Sequence, residues 1–153
     1  MKSMHNVATT RKEQSEAMER LWALAWLLGE GMQSGLAERG LSLPRAELLW
    51  QLQRNGACAQ SALSEALRVT PRNITGLVDA LEKDGLVARS AHPSDRRVTL
   101  VSLTQKGTAT TAAMRRDQDQ FAQELFAGAT SQELASLVGL LDRLLGRIRA
   151  RLG

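Results

Sequence analysis

A mainly α fold carrying one small β-hairpin is what this sequence predicts, and three observations predict it. Apolar residues recur at three- and four-residue spacing over most of the 153-residue chain. Alternation of period two is confined to GLVARSA and RVTLVSL, which flank the polar tip HPSDRR. The three prolines, Pro44, Pro71 and Pro93, fall in two helix starts and in that tip, so none interrupts an element.

The elements follow in order. Residues 1–12 are polar and charged and are expected to be disordered. The first helix is expected over about residues 13–39, with Met18, Leu21, Trp22, Ala25, Leu28, Met32 and Leu36 on one face. Leu24, Trp26 and Leu27 make its other side apolar too, and such a helix needs cover on more than one side. A second subunit is the simplest cover. Gly29, Gly31 and Gly35 predict a kink or a frayed end near residue 30. LSLPRAELLWQL gives a second helix. SALSEALRV reads as a short third one, capped by Ser61 and packing through Leu63, Ala66 and Leu67. TPRNITGLVDALEKDG is the fourth, with Thr70 as N-cap, Pro71 in the first turn and Gly85 ending it. The hairpin packs through Leu86, Val98, Leu100, Val101 and Leu103. A fifth helix is expected over about 104–127. The last opens with the capping box Thr130-x-x-Glu133 and runs as a wide leucine stripe.

Bulk composition bounds the function. With 43% hydrophobic and 24% charged residues the chain can bury a core without disulfide or metal staples. One cysteine allows no intrachain disulfide, which fits a reducing cytosol. The longest apolar run, LWALAWLL, is far too short to span a bilayer, and the start has no apolar core of a signal peptide, so a cytoplasmic protein without membrane attachment is expected. Two histidines and one cysteine form no metal-ligand spacing and no nucleophile–base grouping, so neither a metal nor an enzyme is expected. The balance of 20 basic against 16 acidic residues, a net +4, mildly favours a polyanionic partner.

Charge placement is more informative. At about 100° per residue, Ile74, Leu77, Val78 and Leu81 share the buried face of the fourth helix. The opposite ridge is Arg72, Gly76, Asp79 and Lys83, flanked by Asn73 and Thr75. An Arg, an Asn amide and a Thr hydroxyl at a helix amino end are suited to base edges, Arg to guanine O6/N7 and Asn to adenine N6/N7. Gly76 would let the backbone approach a partner closely. Asp79 would be repelled by phosphate, and pairing with Lys83 at i+4 is the expected relief. A solvated polar ridge is the plainer explanation of such a helix taken alone. The hairpin tip beside it, His92, Ser94, Asp95, Arg96 and Arg97, favours DNA, because an arginine-tipped ribbon can enter a minor groove. Asp95 is expected to orient Arg97.

The run from Ser61 through VTPRNITGLVDALEKDGLVARSAHPSDRRVTLVSLTQKG resembles the winged helix-turn-helix of the MarR family of bacterial transcription regulators. The resemblance includes the D-x-R of the wing, Asp95 and Arg97, and the L-T-x-K-G of Leu103, Thr104, Lys106 and Gly107. It implies a winged helix-turn-helix over 41–107, flanked by dimerisation helices at 13–40 and 108–153. It further implies a homodimer on a pseudo-palindromic double-stranded operator. Thr70, Arg72, Asn73, Thr75 and Gly76 would sit at the major groove, Ser61 on phosphate, and Arg97 with Arg96 in the minor groove. It implies as well a small aromatic or phenolic effector, for which Trp26, Met32 and Trp50 are the candidate lining, although their apolar pattern also suits plain core packing. Cys58 lies away from the position at which such proteins sense oxidants, so no redox role is assigned to it. The expected function is thus a dimeric, sequence-specific repressor relieved by an effector. The alternative is a helical dimerisation module that binds protein and not DNA.

Overall fold

A computed structural model describes residues 9–153. The order is α1 (Arg11–Glu38), α2 (Leu43–Asn55), β1 (Cys58–Ala59), α3 (Gln60–Ala66), α4 (Pro71–Lys83), β2 (Val87–Ala91), β3 (Thr99–Leu103), α5 (Gln105–Leu125) and α6 (Ser131–Leu152). The mainly helical fold with its wing agrees with the sequence. The chain divides into two compact units, Met1–Ala109 and Thr110–Gly153.

In the first unit the core is built where α2, α3 and α4 meet the sheet. Leu48, Leu49, Leu52, Leu63, Ile74, Val78, Leu81, Val87 and Val101 are all buried. Removing side chains of this size from water stabilises the unit by roughly 1.5–3 kcal/mol each. The sheet has the order β1-β3-β2 and is antiparallel throughout. β2 and β3 form the hairpin, with Val87 opposite Leu103 and Ala91 opposite Thr99.

Several sequence expectations need correction. Cys58, read as part of a polar turn, is in a short strand opposite Val101. That strand sets where α3 starts: the helix begins at Gln60 with Ala59 as N-cap and no side-chain cap, so Ser61 lies inside the first turn and does not cap it. Ala66 is exposed, and the buried third-helix partner is Ser64, whose hydroxyl donates to the Val69 carbonyl at 2.7 Å. α1 starts at Arg11 because Thr10 and Glu13 form a capping box, so residues 11 and 12 are helical; the first eight residues of the expected disordered segment lie outside those described. α1 does not end near residue 30, since Gly29, Gly31 and Gly35 all remain within it.

Other local expectations match. Thr70 caps α4 by accepting the Asn73 N–H at 3.2 Å, with Pro71 at the first helical position. Gly85 ends it at φ +73°, a conformation that costs glycine nothing. In the second unit α6 carries the Thr130–Glu133 capping box in full. No residue of α6 is buried, and Val138, Leu145 and Ile148 are about half exposed, with Leu152 more so. On α1, Trp22 and Trp26 stand 70% and 69% exposed.

Candidate nucleic-acid interface

The amino end of α4 presents Arg72 and Asn73 to solvent, and neither side chain has a hydrogen-bond or ionic partner among the described residues. Gly76 lies on the same open ridge, and a Cβ built there would meet nothing within 4 Å. Thr70 spends its hydroxyl oxygen on the helix cap. Thr75 differs from expectation. Its hydroxyl donates to the Pro71 carbonyl at 2.9 Å and accepts from Gln60 Nε2 at 3.0 Å, so its proton is not available to a base edge. Ser61 is exposed in the first turn of α3.

The wing tip is a closed turn. The His92 N–H donates to the Val98 carbonyl, and the Val98 N–H to the Asp95 carbonyl, both at 3.0 Å. His92 Nδ1 accepts the Ser94 N–H at 3.2 Å and lies 3.0 Å from the Ser94 hydroxyl, so these two residues mainly serve one another. Asp95 Oδ1 accepts the backbone N–H of Arg97 at 3.0 Å. The guanidinium groups of Arg96 and Arg97 are left exposed, without partners among the described residues.

Between helix and wing lies a cluster that sequence reasoning missed. Arg89, in β2, places one guanidinium nitrogen 2.6 Å from Asp79 Oδ1 and another 2.8 Å from Glu82 Oε2. Its Nε donates to Gln60 Oε1 at 3.2 Å, and it reaches the Thr75 carbonyl at 3.4 Å. Asp79 therefore pairs with Arg89 and not with Lys83. The available signal was two acids at i, i+3 on one helix face and an arginine in a strand of otherwise small residues.

The L-T-x-K-G segment is structural. The Thr104 hydroxyl donates to the Gly85 carbonyl at 2.6 Å and accepts the Gly107 N–H at 3.0 Å. The Thr104 N–H donates to the Leu86 carbonyl at 3.1 Å, and Lys106 Nζ to the Asp84 carbonyl at 2.7 Å. Carbonyls freed at the end of α4 are thus satisfied by the start of α5.

Trp26 and Met32 are exposed on α1 and Trp50 is half-buried on α2. A cleft of about 570 Å³ runs along Gln60, Ser64, Arg68 and Thr75. Cys58 donates weakly to the Gly56 carbonyl at 3.4 Å, and partial burial pushes its thiol above the usual range, the opposite of an activated thiolate. Among the described residues no group of three or more metal-ligating side chains occurs, and no helix is long and apolar enough to cross a membrane.

Comparison with known proteins agrees with this geometry. The family model described as MarR matches residues 41–99, the segment from just before α2 to the first residue of β3. The HTH-type transcriptional regulator YdgJ of Bacillus subtilis is 28% identical over 142 residues, which is 93% of this chain and 85% of that one. The HTH-type transcriptional repressor IacR of Pseudomonas putida is 30% identical over 113 residues, 74% of this chain and 68% of that one. A solved MarR family protein from Bacillus stearothermophilus shares the fold, with a TM-score of 0.79 at 21% identity over 93% of this chain and 99% of that one. This protein belongs to the MarR family of winged helix-turn-helix transcription regulators.

Proposed function

We propose that the chain acts in the cytosol as a dimeric, sequence-specific DNA-binding repressor whose release from DNA is triggered by a small aromatic or phenolic effector. One contrast carries the DNA reading. Around α4 and the wing, Gln60, Thr75, Asp79, Glu82 and Arg89 are bonded to one another, while Arg72, Asn73, Arg96 and Arg97 keep side-chain donors free of partners among the described residues. Unpaired donors at a helix amino end and on a wing tip match base edges in one groove and the negative potential of the next.

The exposed tryptophans of α1 and the unburied leucines of α6 support pairing of two chains, since apolar surface of this extent is seldom left to solvent. Two-fold symmetry then predicts a pseudo-palindromic operator with half-sites about 10 base pairs apart. The name of the Pseudomonas putida relative supports repression over activation. Trp26, Met32 and Trp50 supply apolar and aromatic surface for the effector; with no tyrosine in the chain, no phenolic hydroxyl is there to bind it.

The test is binding to duplex DNA flanking the protein's own gene, measured across a salt series. Each phosphate neutralised should contribute about −0.9 to the slope of log K against log salt. Salt-independent or absent binding would instead favour a protein-binding module. Light scattering checks the dimer, and quenching of tryptophan fluorescence by benzoate checks the effector surface.

A further inference from the structure

Asp79 raises a problem for any anionic partner. It lies seven residues beyond Arg72 on the same ridge of α4, about 10 Å along the helix axis, and its side chain is 61% exposed. Glu82 follows one turn later, 44% exposed. Two carboxylates on the face that presents the candidate base-reading residues would oppose phosphate over a screening length of about 8 Å at physiological salt.

We infer that Arg89 is a positioning residue that masks these two carboxylates and so allows α4 to approach a duplex; the inference rests on the DNA-binding reading above. Its guanidinium is forked between Asp79 at 2.6 Å and Glu82 at 2.8 Å, one nitrogen on each carboxylate, so both contacts are charge-assisted. Its side chain is only 25% exposed, with contacts to Gln60 and the Thr75 carbonyl besides the two acids. The Gln60 amide bridges it to the Thr75 hydroxyl, tying the first turn of α3, the middle of α4 and β2 into one polar cluster. β2 runs directly into the wing tip, so the same contact fixes the root of the wing against the helix. Strand-borne arginine serves this use better than Lys83, because one guanidinium reaches both acids and leaves the trio a single negative charge, without adding a side chain to the exposed ridge.

The test is a set of three full-length proteins: wild type, Arg89→Gln, and Arg89→Gln combined with Asp79→Asn and Glu82→Gln. Each is titrated against the wild-type binding duplex at several salt concentrations, with melting curves to establish folding. Arg89→Gln should weaken binding on the order of ten-fold at low salt, with a gap that narrows as salt rises. The triple variant should recover most of that loss. Removing two more bridge partners cannot mend a merely structural defect, so recovery separates masking from bracing. Binding by Arg89→Gln equal to wild type, or a folded triple variant that stays weak, overturns the inference while the DNA-binding reading stands. Absence of duplex binding by the wild-type chain removes both.

Discussion

The carboxylate of Asp95 accepts the backbone N–H of Arg97 at 3.0 Å, so the acid orients its neighbour through the main chain and leaves the guanidinium unpaired. The D-x-R spacing of the wing is thereby explained: an Asx-type turn sets the arginine's direction without neutralising it. Asp95→Ala should then weaken DNA binding as Arg97→Ala does, and the double variant should lose little more than either alone. Asp95→Asn keeps the acceptor and should bind nearly as wild type. A double-mutant cycle by fluorescence anisotropy measures the coupling; fully additive losses would contradict the relation.

Arg72 and Arg97 should fail in different ways. Arg72→Ala should cost on the order of 1–3 kcal/mol of binding and relax base preference at one position of each half-site. Arg97→Ala should weaken binding to all duplexes more evenly and lower the salt slope by about one. Selection of randomised duplexes by each variant, followed by sequencing, reads the difference.

How much of this was legible in the sequence depends on range. Local chemistry was readable: Thr70 with Pro71, Thr130 with Glu133, and Gly85 behave as their types dictate, because capping depends on residues three or four apart. The same rule applied to Thr10 and Glu13 would have placed the start of α1. Long-range pairings were not readable. Cys58 opposite Val101 and Arg89 opposite Asp79 depend on segments joined only by the fold, and two residues make too short a strand for periodicity to register. Assigning Asp79 to Lys83 failed for that reason: a surface i+4 pair stabilises by only a few tenths of a kcal/mol and yields to a forked arginine. The glycines of α1 do not end the helix, since their modest propensity cost is spread over a long capped element.

Two glycines should respond oppositely to the same substitution. Gly107 lies against the Leu86 carbonyl, and an added Cβ would overlap that oxygen outright. Gly107→Ala should lower stability by about 1–3 kcal/mol or prevent folding. Gly76 has open space in mid-helix, so Gly76→Ala should raise stability by roughly 0.5–1 kcal/mol. That same methyl projects from the candidate DNA face and should weaken duplex binding. Paired melting and binding measurements test this, and a Gly76→Ala protein that melts higher and binds as well as wild type would remove the close approach from the argument.

Acid sensitivity should trace in part to the two capping boxes. Backbone and hydroxyl hydrogen bonds from Thr10 hold the Glu13 carboxyl below its ordinary 4.5, and those from Thr130 do the same for Glu133. A folded-state value depressed in this way favours the native helix where the carboxylate is charged. The contribution is therefore complete above pH 4.5, declines below it, and is lost as pH falls through the lowered folded value. Glu133→Gln keeps an acceptor for the Thr130 N–H but cannot titrate. Its melting temperature should fall less than that of the wild type between neutral and acid pH, even if it starts lower. Circular dichroism melts across that range measure the difference, and parallel curves would show that the cap does not contribute to acid unfolding.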